Sequence, residues 1–288
     1  MRRQPAAADA PAASAHDEQA RFRHRLNRIY LAYALGFVVF VGVLAVLEQF
    51  GLSKRWIGII FLLATVVLYA VIGVISRTTD PAEYYVAGRR VPAIYNGMAT
   101  AADWMSAASF IGLAGTLYLQ GYGGLAYVMG WTGGYVLLAL FLAPYLRRFG
   151  QYTIPDFLGE RYAGNGWAGK APRLIGLIAA VLCSFVYLVA QIYGVGLITT
   201  QLTGVDFVIG IFLGLGGVLV CSFLGGMRAV TWTQVAQYIV LVIAYLVPVV
   251  LLSIKQTHVP VPQWAVGQQL AKLSDREREL LNDPKELE

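Results

Sequence analysis

A stretch of small and polar residues at 92–120 contains the side chains best suited to bind an ion or a small solute. Its carboxylate, Asp103, lies ten residues beyond Ala93, where the apolar run begins. That is roughly 15 Å along a helix, or about half of a hydrocarbon core roughly 30 Å thick. An ionisable side chain at that depth costs at least about 2.5–3.5 kcal/mol and normally faces a cavity or a pathway. Ser106 and Ser109, three residues apart, lie on one helical face, so the stretch predicts a binding site inside a membrane.

Each candidate side chain has a functional and a structural interpretation. Asp103 binds a cation or a proton, or a neighbouring helix holds it by a hydrogen bond. Ser106 and Ser109 hydrogen-bond a carboxylate substrate, or they bond back to a carbonyl of the preceding turn. Trp104 shapes a pocket or packs against another helix. Gln191, deep in a later apolar run, reaches the cavity or joins two helices, and such interhelical contacts average only about 0.6 kcal/mol.

The composition is that of an α-helical membrane protein. Of the 288 residues, 58% are hydrophobic and only 13% are charged, whereas soluble domains carry about 25% charged residues. Several apolar runs exceed the roughly 18 residues that a membrane-spanning helix requires. The net charge of +6 lies in the segments between these runs, so it indicates orientation in a lipid bilayer and no nucleic-acid partner.

Seven membrane-spanning helices are predicted, and they divide the chain into three parts. Residues 1–29 form a disordered basic cytoplasmic tail, residues 30–255 the transmembrane domain, and residues 256–288 a polar extracytoplasmic tail or a truncated loop. A cytoplasmic N-terminus places 15 of the 22 Lys and Arg residues inside and 7 outside, as the positive-inside rule requires. We therefore expect a multi-pass protein of a bacterial-type inner (plasma) membrane. The predicted spans are residues 30–50, 56–76, 93–119, 122–146, 174–201, 207–225 and 230–254.

Three motifs resemble segments of the sodium:solute symporter family. Asp80–Gly112, DPAEYYVAGRRVPAIYNGMATAADWMSAASFIG, resembles the approach to the first core helix of that family. Gly150–Tyr162, GQYTIPDFLGERY, is similar to its inner loop after the second core helix. Gly225–Gln237, GGMRAVTWTQVAQ, is similar to its turn into the fifth core helix. Within the family, the run DWMSAASFIG that begins at Asp103 is similar to the acetate and short monocarboxylate permeases, and the resemblance covers residues 57–255.

The resemblance implies an all-α protein with a leucine-transporter type fold, in which two inverted repeats of five helices meet at midplane sites on broken helices. Two helices precede the first repeat here, and we expect the second repeat to be absent from this chain. By resemblance, helix 93–119 is the broken one, and the backbone carbonyls of Ala102 and Met105 bind sodium beside Asp103. The resemblance also favours Ser109 as a substrate contact. Sodium is the implied co-transported ion, with a proton as the alternative.

The predicted function is sodium-coupled symport of a small organic anion, acetate or another monocarboxylate, by alternating access. Two alternatives stay open. One is a truncated or split half-transporter that is inactive alone and needs a second chain carrying the other repeat. The other is a membrane sensor that binds the solute without transporting it. An enzyme is not expected, because the three histidines lie in the two tails and the sequence has no phosphate-binding loop.

Overall fold

The computed structural model describes residues 10–164 and 166–282, and these residues form helices and turns without a strand. The predicted all-α class is confirmed. The chain divides into two compact units, Met1–Gln237 and Tyr238–Glu288. The helices are α1 (Ala10–Gln49), α2 (Lys54–Ile75), α3 (Pro81–Val86), α4 (Ala93–Trp104), α5 (Leu113–Gln120), α6 (Leu125–Leu137), α7 (Ala143–Phe149), α8 (Ile154–Arg161), α9 (Trp167–Thr203), α10 (Phe207–Thr257) and α11 (Pro262–Leu281).

Among the described residues, five helical stretches are long and apolar enough to cross a membrane. No more than 11% of the most apolar window of each stretch is buried, and side chains such as Leu182, Phe185 and Val186 are more than half exposed. Apolar surface of this extent is stable in contact with lipid, so the chain is a polytopic membrane protein. The five stretches are Gln19–Gln49, Lys54–Ile75, Ser109–Phe149, Gly169–Thr203 and Ser222–Thr257, with a shorter apolar helix at Phe207–Gly216.

The seven predicted spans do not correspond one to one with these five stretches, and bends at two glycines separate predicted spans that lie within continuous helical stretches. The predicted span 122–146 follows a turn at Gly121, whose φ is +59°. The predicted spans 207–225 and 230–254 both lie in α10, which bends at Gly226 with a φ of +50°. Glycine adopts such positive φ values without the penalty that a Cβ brings. The number of membrane crossings stays a prediction.

The described part of the N-terminal segment is helical, and a disordered cytoplasmic tail over residues 1–29 stays a prediction. Helix α1 begins at Ala10, so residues 10–29 are helical, while residues 1–9 lie outside the described part. The reason is burial of apolar side chains: Leu26 is only 9% exposed, and Phe22 packs edge-on against an aromatic ring of α10. Such contacts offset the conformational entropy that ordering the segment costs.

Helix α4 is held against α1 and α10 by a buried aromatic cluster. Tyr95 of α4 donates a hydrogen bond from its hydroxyl to Asn27 Oδ1 at 2.6 Å, and Tyr30 donates to the Trp232 carbonyl at 3.1 Å. The rings of Tyr95 and Trp232 lie 6.0 Å apart, and Val235 beside them is fully buried. These contacts fix the position of α4, and therefore of the residues at its end.

Helix α9 packs closely on α2. A Cβ at Gly58 would lie 2.6 Å from the Leu202 carbonyl oxygen, so only glycine permits this approach. Arg55 donates from Nε to the Thr203 carbonyl at 2.7 Å, which satisfies an acceptor at the C-terminal end of α9.

The second unit contains the end of α10 and the helix α11, which includes the stretch DRERELL. Ser253 donates a hydrogen bond to the Val259 carbonyl at 2.7 Å, and Ala265 of α11 is 2% exposed. The side of the membrane on which residues 256–288 lie stays a prediction.

Candidate functional site

The predicted span 93–119 contains a break in its helix. Helix α4 ends at Trp104, and Met105 leaves the helical region with a φ of −75° and a ψ of 64°. Helical structure then resumes in a π-helical turn at Ala108–Gly112. Lipid cannot satisfy the backbone groups that a break exposes, so breaks in membrane helices occur where they are buried in protein or line a water-filled cavity.

Two amides at the break donate away from the carbonyls that they would meet in a regular helix. Ser106 N donates to the Trp104 carbonyl at 2.8 Å and to Ser109 Oγ at 2.9 Å. In an uninterrupted helix this amide would bond to the carbonyl of Ala102. Ser109 N donates to Ser106 Oγ at 3.4 Å, whereas its helical acceptor would be the carbonyl of Met105. The carbonyls of Ala102 and Met105 thus lack their helical donors.

A third amide at the break donates its hydrogen bond to a side chain of α9. Ala107 N donates to Gln191 Oε1 at 3.1 Å, so the carbonyl of Asp103 also lacks its helical donor. A Cβ at Gly194 would lie 2.6 Å from Ala107 Cβ, which shows that glycine lets α9 approach the break. The Gln191 Nε2 group is buried and has no acceptor among the described residues. Gln191 therefore joins two helices, as one interpretation expected, and keeps an N–H group for an anion or a water.

The two serine hydroxyls have different roles at the break. Ser109 Oγ donates to the Trp104 carbonyl at 2.7 Å and lies 3.0 Å from the Ser106 carbonyl, so it bonds back to the preceding turn. Ser106 Oγ accepts from Ser109 N, and its own proton has no acceptor within the described part of the chain. Ser109 holds the shape of the break, whereas Ser106 has a proton to donate to a ligand.

Asp103 is joined to α10 by a side-chain hydrogen bond. Gln234 donates from Nε2 to Asp103 Oδ1 at 3.1 Å, and the Asp103 side chain is otherwise exposed. Both interpretations of Asp103 are compatible with this geometry, since one carboxylate oxygen bonds to a neighbouring helix and the side chain is exposed. No group of three or more His, Cys, Asp and Glu side chains lies together among the residues that the structure describes. The available ligands are therefore carbonyl, hydroxyl and single carboxylate oxygens, which suit a hard cation.

Trp104 packs against another helix. Its ring lies edge-on to that of Trp131 of α6, with 6.0 Å between the ring centroids, and Trp131 is 6.4 Å from Tyr127. Trp104 and Trp131 lie on opposite sides of the turn at Gly121, so the chain reverses direction between them. This aromatic group forms a wall beside the break.

The first and third sequence motifs contact each other at the segment that precedes α4. A Cβ at Gly226 would lie 2.6 Å from the Tyr84 carbonyl oxygen, and the Tyr84 hydroxyl donates to the Ser222 carbonyl at 3.3 Å. Thr78 N donates to the Leu224 carbonyl at 3.1 Å. The bend of α10 is thus packed against the segment that leads into α4.

Glu83 is the charged group at this junction. Its carboxylate accepts a hydrogen bond from Thr78 Oγ1 at 3.0 Å, and it pairs with Arg90 at 2.7 Å and with Arg228 of α10. The Thr78 hydrogen bond, together with the two guanidinium groups, lowers the pKa of Glu83 below its ordinary value. Arg228, interpreted from the sequence as an orientation signal, therefore also links α10 to α3.

The structure brings all of the predicted site residues to one place. Six of them lie on the break itself, and Gln191 reaches it from α9. Sequence reasoning missed Gln234 and Glu83, whose partners are distant in the chain. A signal for Gln234 was present, because it is an amide in the third motif and lies at the start of an apolar span. The six residues on the break are Ala102, Asp103, Trp104, Met105, Ser106 and Ser109.

Comparison with known proteins extends these observations. The sequence profile described as the sodium:solute symporter family matches residues 84–261. An uncharacterized symporter of Cupriavidus necator is 58% identical over 271 residues, which are 94% of this chain and 40% of that protein. The uncharacterized symporter YwcA of Bacillus subtilis is 33% identical over 174 residues, 60% of this chain and 33% of that protein.

The chain thus spans well under half the length of these two relatives. No solved structure matches it.

Proposed function

Because the chain belongs to the sodium:solute symporter family, we propose that it supplies the sodium-binding half of a transporter that carries a small organic anion across a membrane. The transported anion is a monocarboxylate such as acetate, and sodium is the coupling ion. In this proposal the transporter works by alternating access around the break after α4, and it performs no enzymatic reaction. The protein lies in a bacterial-type inner membrane with its N-terminus on the cytoplasmic side, as the distribution of basic residues favours.

The proposal rests mainly on the backbone amides of residues 106 and 109, which donate to acceptors other than the carbonyls four residues earlier. This leaves the carbonyls of Ala102 and Met105 without helical donors. Carbonyl oxygens of unwound helices coordinate sodium in transporters built from inverted repeats. The Asp103 carboxylate next to them adds a negative charge, and Gln234 holds that carboxylate from α10.

The ligand set on this chain is incomplete for a hard cation. Two carbonyls and one carboxylate oxygen fall short of the 6–8 oxygens typical of calcium, the nearest such ion with well-known preferences. We propose that the remaining oxygens come from the other inverted repeat, on a longer chain or on a second polypeptide. The short share of each relative that this chain covers is consistent with that arrangement.

Two hydrogen-bond donors favour an anionic solute beside the cation. The Ser106 hydroxyl has no acceptor among the described residues, and the buried Gln191 Nε2 likewise has none. Both residues bond to the backbone of the same break. A carboxylate accepts hydrogen bonds and donates none when it is ionised, so these two groups match its chemistry. The cation provides the compensating charge, and the ring of Trp104 provides an apolar wall.

Coupled binding tests this function. Purified chain, alone and mixed with a polypeptide covering the rest of the Cupriavidus necator relative, is titrated with radioactive sodium in the absence and presence of acetate. We expect acetate to raise the affinity for sodium, and sodium to raise that for acetate by the same factor, because coupling of two ligands is reciprocal. Potassium and a neutral sugar serve as controls. Sodium binding that no carboxylate affects would contradict an anion symporter, and a response of acetate binding to pH alone would indicate proton coupling.

The sensor alternative differs from transport in one measurable respect. A sensor would show the same coupled binding without moving the solute across a bilayer. Uptake of radioactive acetate into sealed vesicles separates the two functions.

A further inference from the structure

A cavity of about 390 Å³ lies at the C-terminal end of the apolar stretch Ser109–Phe149. Its volume is within the range of small-ligand sites, which is about 300–1,000 Å³. The cavity is formed where α7, α8 and the segment after α3 meet, and its lining includes the basic side chains of Arg89 and Arg147. None of the described residues that line it is Asp or Glu, so the described lining is electropositive.

Arg89 is fixed in the wall of this cavity. Its guanidinium donates to the Gly150 carbonyl at 2.6 Å and lies 5.9 Å from the centre of the Tyr152 ring. Tyr152 is itself stacked on Tyr85, with 6.1 Å between the ring centroids. The backbone of Arg89 has a φ of +54°, a conformation that a residue with a Cβ rarely adopts. The surrounding contacts therefore hold this arginine in one orientation.

Arg147 faces the same cavity without a protein partner. It forms no ion pair and no hydrogen bond with any residue that the structure describes, although it lines the cavity. On α8, Asp156 is already paired with Arg173 at 2.6 Å and accepts from Thr153 Oγ1 at 2.6 Å, and Glu160 forms no ion pair with Arg147. No acidic side chain of the described chain is thus paired with Arg147.

The surroundings of the cavity favour a lipid over a soluble anion. The cavity lies where an apolar helix of membrane-spanning length ends, and Leu146 and Phe157 contribute apolar walls. Leu140, in the helical turn before the cavity, is 65% exposed, which leaves apolar surface for an acyl chain. Basic pockets between helices at a membrane surface recognise anionic lipid headgroups. We propose that this cavity binds the phosphate group of an anionic phospholipid, with Arg147 and Arg89 contacting the phosphate oxygens.

Two adjacent arginines provide a matched test. Arg147 lines the cavity, whereas Arg148 does not, and both carry the same charge at the same end of α7. The full chain in detergent is incubated with phosphatidylglycerol, and retained lipid is counted by native mass spectrometry. We expect Arg147→Gln to lower retention about fivefold, which corresponds to about 1 kcal/mol for one arginine near an anionic headgroup. Arg148→Gln should stay within about twofold of the wild type, and Arg147→Lys should retain part of the binding because it keeps the charge.

Three outcomes would overturn the proposal. Equal losses in Arg147→Gln and Arg148→Gln would mean that the lipid responds only to general surface charge. Equal retention of phosphatidylglycerol and of phosphatidylcholine with the same acyl chains would exclude headgroup recognition. In the third outcome, inorganic phosphate raises the melting temperature of the wild type as much as phosphatidylglycerol does, and it has no such effect on Arg147→Gln. That result would assign the site to a soluble anion. Circular dichroism of each variant confirms that a loss of lipid is not a loss of helix.

Discussion

Gln234 Nε2 donates to Asp103 Oδ1 at 3.1 Å, and this hydrogen bond joins the last turn of α4 to α10. Both helices carry motif residues; α4 ends one residue after Asp103, and α10 bends at Gly226, eight residues before Gln234. The carboxylate therefore lies where a change in the angle between two helices would alter its position. A cation bound at the break would act on the same contact.

Asp103→Asn is expected to weaken sodium binding at least about tenfold. The substitution keeps an oxygen that accepts from Gln234 but removes the negative charge, and interactions with a charged group are worth about 1.5–3 kcal/mol. Radioactive sodium binding to the purified protein measures the effect. Asp206→Asn is the matched control, because Asp206 accepts from Val208 N at the start of α10 and is not part of the break. Unchanged sodium affinity in Asp103→Asn would assign Asp103 to structure alone.

Ser109→Ala is expected to affect mainly the stability of the protein, and Ser106→Ala mainly its binding of acetate. Ser109 Oγ bonds to the backbone on both sides of the break, so its removal leaves polar backbone groups unsatisfied at a cost of about 1–3 kcal/mol. Ser106→Ala removes a long hydrogen bond of 3.4 Å from Ser109 N and a hydroxyl whose proton has no acceptor in the described structure, so we expect a smaller loss of stability than in Ser109→Ala and weaker binding of acetate. Thermal unfolding and acetate binding, measured on both variants, separate the roles. Equal losses of stability would contradict this assignment, and Thr116→Ala serves as a control for an ordinary bond to the preceding turn.

Gly226→Ala is expected to destabilise the protein by more than about 1 kcal/mol. An alanine there would have to adopt a φ of +50°, and its Cβ would lie 2.6 Å from the Tyr84 carbonyl oxygen. Gly97→Ala in α4 is the control, since a Cβ at that position meets no atom within 4 Å and alanine favours a helix more than glycine does. Unfolding midpoints in a mild detergent give the comparison. A Gly226→Ala protein as stable as Gly97→Ala would show that the bend is not constrained by Tyr84.

The ion pairs of Glu83 are expected to make stability depend on pH below about 4.5. The pKa of Glu83 is lower in the folded chain than its ordinary value of 4.5, so its contribution is fully present above that value and is lost as pH falls through the folded pKa. The difference in melting temperature between wild type and Glu83→Gln should be constant at neutral pH and shrink under acid conditions. Glu160→Gln, a carboxylate without an ion pair in the described structure, should show no such trend. A difference that grows as pH falls would contradict the assignment.

The resemblance to the symporter family led us to expect a break in helix 93–119, but not its partners. Small residues, hydroxyls and a carboxylate within that apolar span pointed to residues 102–109 as a candidate site, because an ionisable group is costly in lipid. The contact of Gln191 with Ala107 N depends on how closely α9 approaches, which Gly194 permits. The contact of Gln234 with Asp103 depends on the packing of α10. Neither distance follows from local spacing.

Two features of the backbone could not be derived from the sequence either. The bend at Gly226 and the turn at Gly121 depend on single φ angles that hydropathy does not report. The N-terminal segment has the composition of a disordered chain, yet Leu26 is buried in a cluster with Tyr95 and Val235. Tertiary burial of a few apolar side chains overrode the local signal there.

Uptake of radioactive acetate into proteoliposomes tests the central claim most directly. The chain is reconstituted alone and together with a polypeptide covering the rest of the Cupriavidus necator relative, with sodium or potassium gradients of equal size and with Asp103→Asn in parallel. The account predicts that at least one of these preparations accumulates acetate only when an inward sodium gradient is present. It also predicts that Asp103→Asn abolishes this accumulation. Coupled sodium and acetate binding without sodium-driven uptake in either preparation would contradict transport and indicate a sensor.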